Sequence, residues 1–133
     1  MTWPWRGRGG AGATLPAEPT ADTIAHLLAA ADMVQFGGWV QGVGARDGGG
    51  AVCQPEDPRA QRWCAAGAIR ADARLRRGRH FVGQAERSLE SFIRRLGWDN
   101  IAAWNDDEDR TAGEVADVLR RVAKELGERG EEG

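Results

Sequence analysis

The chain has 133 residues, 41% hydrophobic and 29% charged, with a formal net charge of −2. This length supports one domain with a modest core, and the near-neutral total by itself calls for neither a nucleic-acid nor a membrane partner. Two cysteines are too few for a disulfide framework and no apolar run reaches the length of a membrane span, so the chain reads as cytoplasmic with Cys53 and Cys64 reduced.

In chain order, residues 1–19 are rich in Gly, Pro and Ala, lack periodicity and read as a flexible tail. The stretch from Trp3 to Gly10 is the opposite of a signal-peptide core. Trp3 and Trp5 are unusual in such a segment and are candidates for docking on the body or a partner. A first helix is predicted over about 20–36, capped by Thr20 or Asp22, with Ile24, Leu27, Leu28, Ala31 and Val34 as its apolar stripe. His26 lies off that stripe and is expected at the surface. Gly37-Gly38 ends the helix. Residues 40–46 and 51–54, flanking Asp47-Gly48-Gly49-Gly50, pair as a short hairpin that must pack on helices to persist.

A second helix is predicted from Pro58 to Gly78, placing Ala60, Trp63, Cys64, Gly67, Ala68, Ala71 and Leu75 on one face. Arg59, Arg62, Arg70, Arg74 and Arg77 then gather on an adjoining face, with Arg76 and Arg79 nearby. A third helix over about 81–96 buries Phe81 or Val82, Ala85, Leu89, Phe92 and Leu96 and stops at Gly97. Trp98, Ile101 and Trp104, three apart, suit a short helical turn capped by Asp99. The last helix starts at Thr111, whose hydroxyl and backbone amide exchange hydrogen bonds with Glu114 as a capping box. Its apolar face is Val115, Val118, Leu119, Val122 and Leu126, and Gly127 closes it before an acidic tail, 128–133. The expected fold is mainly α: a compact bundle of about four helices over 20–127, with a short β-hairpin after the first helix.

Charge is unevenly distributed. Residues 59–98 hold ten arginines against three acids, whereas 99–133 hold five basic residues against eleven acids. The bland reading, which we favour, is neutralisation between packed segments; the sharper one is an outside polyanion on the arginine face. Cys64 lacks an imidazole nearby in sequence and reads as a packed core thiol. Asn105-Asp106-Asp107-Glu108-Asp109 alternates oxygens like a calcium loop, but Arg110 stands at the tight-turn glycine position and Ala116 at the bidentate glutamate position. Asn105 and Asp106 therefore read as acceptors for backbone amides in the turn before the last helix. With two histidines, His26 and His80, and no Cys/His ligand spacing there is no zinc set. Gly42-Val43-Gly44 lacks the third glycine and the strand-to-helix context of a phosphate loop. No cofactor, metal or catalytic set is expected.

Gly38-Trp39-x-Gln41-Gly42, Ala45-Arg46-Asp47-x-x-Gly50, Trp63-Cys64-x-x-Gly67-Ala68, Ile101-x-x-Trp104-Asn105-Asp106 and Thr111-x-x-Glu114-Val115 stand in this order. Together they resemble an uncharacterised family of small bacterial and phage proteins, domain of unknown function sixty-one ninety-seven, over residues 20–123. The resemblance implies a compact helical domain, often of phage or mobile-element setting, and supplies no activity, cofactor or catalytic residue. Trp39, Trp63, Cys64, Gly67, Trp104, Asn105, Asp106, Thr111 and Glu114 are read as a structural motif. The functional expectation is a protein-interaction module without catalysis. The alternative is a nucleic-acid-binding accessory factor using Arg59–Arg79, and a third reading is an enzyme using Cys64 or Asp106. The oligomeric state is open.

Overall fold

Alanine dominates the surfaces along which the longest helices meet. In the computed structural model, which describes residues 18–75 and 82–132, α1 (Glu18–Asp32) lies most extensively against α5 (Ala112–Glu132). Leu27, Ala30 and Ala31 of α1 face Val115, Ala116, Leu119, Val122 and Ala123 of α5, all buried. Small side chains at these positions let the two backbones approach closely. α2 (Ala65–Leu75) adds Ala68 and Ile69, and α3 (Val82–Arg95) adds Ala85, Leu89 and Ile93 at helical spacing. The short α4 (Ile101–Asn105) plugs the remaining side with Trp104, only 1% exposed. An indole of that size withdraws about 200 Å² from water, on the order of 5 kcal/mol of transfer free energy.

The first helix does not end simply. After Asp32 its last turn widens into a π-helical segment, Met33–Gly37, closed by the Gly38 amide on the Met33 carbonyl at 2.9 Å. Three short antiparallel strands follow: β1 (Ala45–Asp47), β2 (Val52–Cys53) and β3 (Ala60–Trp63), in the order β2-β1-β3. Ala45 opposes Cys53 on one side and Trp63 on the other. The expected hairpin is thus present, shorter than predicted and extended by a third strand. Its turn is tied by Asp47 Oδ1, which accepts from the Gly49 and Ala51 amides at 2.9 Å each. Gly50 takes φ of 89°, which a side chain would resist.

Several sequence expectations are corrected. Residues 60–63 are β3, so the second helix starts at Ala65 rather than Pro58. Asp57 Oδ1 accepts from the Arg59 amide at 2.8 Å, folding Pro58 into a turn that delivers the chain to the sheet. Asn100, not Asp99, caps α4, accepting from the Ala103 amide at 2.7 Å. Leu96 and Leu28 are 52% and 44% exposed, whereas Ile93, Ala30 and Thr23 take buried places. α5 continues through Gly127 to Glu132, with Glu125 flanked on its own helix by Arg121 and Arg129 four residues away on either side. The capping box is present: Thr111 N donates to Glu114 Oε1 at 3.0 Å, and Glu114 N to Thr111 Oγ1 at 3.2 Å. Gly97 ends α3 with φ of 102°. The molecule is mainly helical with a small antiparallel sheet, five α-helices among the described residues rather than four and a hairpin. The expected Trp3–Trp5 docking groups, Phe81 and the Gly78 stop lie outside the described residues.

Candidate functional site

The separate sequence motifs converge on one side chain, Asn105, at the end of α4. It is 1% exposed. Its Oδ1 accepts from the Trp39 indole Nε1 at 2.9 Å and from the Ala65 amide at 3.0 Å. Its Nδ2 donates to the Val40 carbonyl at 3.2 Å and to Asp106 Oδ1 at 3.0 Å. Two donors on one atom and two acceptors on the other fix the amide orientation and exhaust its bonding capacity. Gln41 Nε2 reinforces the same junction, donating to the carbonyls of Asn105 at 3.0 Å and Asp107 at 2.7 Å. The Gly42 amide reaches Asp106 Oδ1 at 2.9 Å. Asn105 and Asp106 do accept backbone amides, but from the 39–44 loop and the start of α2 rather than from their own turn.

That junction explains how α2 begins. Residue 64 is the N-cap position, and cysteine is a poor cap. Cys64 Sγ accepts from the Gly67 amide at 3.2 Å, while Asn105 supplies the missing acceptor for Ala65 from across the fold. The Cys64 amide donates to the Gly44 carbonyl at 3.1 Å, and a Cβ on Gly67 would collide with that same oxygen. Gly67 therefore makes room for the backbone of the 39–44 loop. Trp39 bridges β3 through the Trp63 backbone, and Trp63 Nε1 donates to the Pro55 carbonyl at 3.3 Å. Arg110 closes the far side: its Nε donates to the Trp104 carbonyl at 2.9 Å, and its guanidinium lies 4.6 Å from the Trp104 ring centre and 5.4 Å from that of Trp98.

Beside the junction is a cavity of about 260 Å³, lined by Gly42, Val43, Gly44, Cys64, Ala66, Ile101, Ala102, Asn105 and Asp106. Burial, the largest influence, pushes the Cys64 thiol above its ordinary pKa, and the Asp106 carboxylate adds to the rise. A nucleophilic thiol needs the opposite shift. Cys53 is also shifted upward, by desolvation first and then by Asp57 and Asp47. Among the described residues no group of three or more His, Cys, Asp or Glu is placed to hold a metal ion.

A profile described as a family of unknown function (DUF6197) matches residues 18–125. The chain belongs to that family. No curated protein and no solved structure matches it. The matched span includes every residue of the Asn105 junction in this DUF6197 chain. No described helix is long and apolar enough to cross a membrane.

The five arginines singled out in the sequence do not share one helix face. Arg59 sits in the turn before β3 and Arg62 on β3, while Arg70 is on α2. Arg59 is paired with Asp57 at 2.9 Å and Arg70 with Glu86 at 2.8 Å; each carboxylate raises its partner's pKa. The side chain of Arg74, and Arg76, Arg77, Arg79 and His80, lie outside the described residues. Sequence reasoning missed His26, which is buried at 2% exposure with Nδ1 2.7 Å from Asp72 Oδ2. The signal was present in a shifted pattern: residues 23, 26, 27, 30, 31 and 34 form the buried face, and two of them are polar.

Proposed function

We propose that this chain is a small protein-interaction module of the phage or accessory-gene type, binding a partner through its surface and performing no chemistry. The observation that carries this reading is the use of the motif polar groups. Asn105, Gln41 and Asp106 are engaged by the chain's own backbone and by Trp39, and the Cys64 thiol is held protonated by burial. Such groups position segments of chain and leave little to act on a substrate.

Contact area is offered elsewhere. Phe36, on the π-helical segment, is 76% exposed, and Leu28 stands out from α1 eight residues earlier. A large aromatic side chain held in water by an ordered turn suits an anchor for a partner's apolar pocket. The test is affinity capture from nuclease-treated host lysate, with wild type and a Leu28→Ser/Phe36→Ser double variant in parallel. The reading expects a defined protein held by wild type and lost by the variant, with the melting temperature unchanged. Identical capture by both, or loss of all capture after nuclease, would contradict it.

A further inference from the structure

A groove of about 290 Å³ runs between α3 and α5. Arg87, Ser88, Ser91 and Arg95 of α3 face Glu125 and Arg129 of α5 across it. Along α3 it continues into a more open cavity that shares Arg87, Ser91 and Arg95 and adds Arg94. Arg87, Ser91 and Arg95 recur every four residues, so they lie along one face and span about 12 Å.

The charges here do not cancel. Glu125 gathers Arg95 at 2.9 Å, Arg129 at 3.7 Å and Arg121 at 3.9 Å, and the Arg95 hydrogen bond is the largest influence lowering its pKa. One carboxylate thus draws together three guanidiniums that would otherwise repel. Arg94 is paired with Glu90 at 3.4 Å, while Arg87 has no ion-pair partner among the described residues. Four groove arginines against Glu90 and Glu125 leave an excess of two positive charges, on a chain whose net charge is −2. Forked guanidinium donors beside serine hydroxyls match the oxygen geometry of phosphate.

We propose that the α3–α5 groove binds a ligand carrying successive phosphate groups, held by Arg87, Arg95 and Arg129 with Ser88 and Ser91 donating. This site is independent of the Phe36 surface. The phosphates come either from a single-stranded nucleic-acid backbone or from a nucleoside triphosphate, and one experiment separates these sources. Fluorescence anisotropy of the full chain is measured with a labelled single-stranded oligonucleotide and, separately, a labelled nucleoside triphosphate. At least one probe is expected to bind at about 50 mM salt and to weaken steeply toward about 200 mM. Arg87→Glu and Arg129→Gln each reduce that affinity roughly tenfold, whereas Arg59→Glu and Arg62→Glu, outside the groove, change it less than about twofold. Arg87 makes no ion pair among the described residues, so its variant is expected to keep the fold, and circular dichroism verifies this. Binding of the oligonucleotide alone assigns the polymer, and binding of the triphosphate alone assigns the small ligand. Failure of both probes to bind, or loss of affinity equally from Arg59→Glu, overturns the proposal.

Discussion

Asn105 occupies the place where three segments of chain need polar partners at once. The 39–44 loop brings an indole N–H and a carbonyl, α2 brings an uncapped amide, and α4 ends there with its own carbonyl. Burying any of these unpaired costs about 1–3 kcal/mol. Burial also governs Cys64: it disfavours the thiolate more than the Gly67 and Ala66 amides donating to Sγ favour it. Alkylation of Cys64 at pH 7 is expected to run far slower than that of a solvent-exposed peptide thiol, and to accelerate only above the ordinary thiol range. Burial favours the protonated form in the folded state, so this contribution to stability is present below the unfolded pKa and is lost as pH rises through the folded one. Rapid labelling of the folded chain at neutral pH would refute the packed-thiol assignment. Gly67 gives a second test at this scale. Its alanine variant drives a methyl into the Gly44 carbonyl, and urea denaturation should show a loss of about 2 kcal/mol or more. A neutral effect would mean that the loop yields freely.

At the scale of elements, α1 and α2 are joined by a buried polar contact as well as by apolar packing. His26 and Asp72 meet at 2.7 Å with both residues almost wholly enclosed. Asp72→Ala removes one partner and leaves a buried imidazole without its carboxylate, an expected cost of about 3 kcal/mol in denaturant titration. A cost below about 0.5 kcal/mol would show that the pair contributes no net stability. The helices themselves were legible in the residues. The 115–122 stripe of α5, the Gly97 stop and the Thr111–Glu114 box are local signals, and each lies where the spacing places it. The start of α2 was not legible, because its cap is delivered by Asn105 from forty residues away and no local sequence pattern records that. Pro58 opened a helix on propensity alone, while pairing with β1 claimed residues 60–63. The α1 face was displaced by a residue because Thr23 and His26 are buried polar groups.

The whole molecule is a helical body in which a three-stranded sheet and the 39–44 loop are fastened to α2 and α4 at one junction. Its charge follows the same economy. Arg95 answers Glu125, joining the basic middle to the acidic end, while Arg70 answers Glu86 within the middle and Arg120 answers Asp32 of α1 at 3.0 Å. Such exposed pairs contribute little stability individually. Among the described residues, the α3–α5 groove keeps a positive excess, four arginines against Glu90 and Glu125. Of the residues grouped as a motif in the sequence, Trp39, Trp63, Cys64, Gly67, Trp104, Asn105 and Asp106 lie in or beside the junction, whereas Thr111 and Glu114 form the separate capping box of α5. What was hidden was their mutual geometry, which depends on contacts across some forty to sixty-six positions of sequence.

The central claim is that these motif residues form one cooperative structural junction. The most direct measurement is a double-mutant cycle in urea between Trp39→Phe and Asn105→Ala, read as unfolding free energies at constant m-value. A cooperative junction predicts strong destabilisation by Asn105→Ala and a coupling of about 1 kcal/mol between the two sites. Full stability of Asn105→Ala, or strict additivity of the two substitutions within about 0.3 kcal/mol, would contradict it.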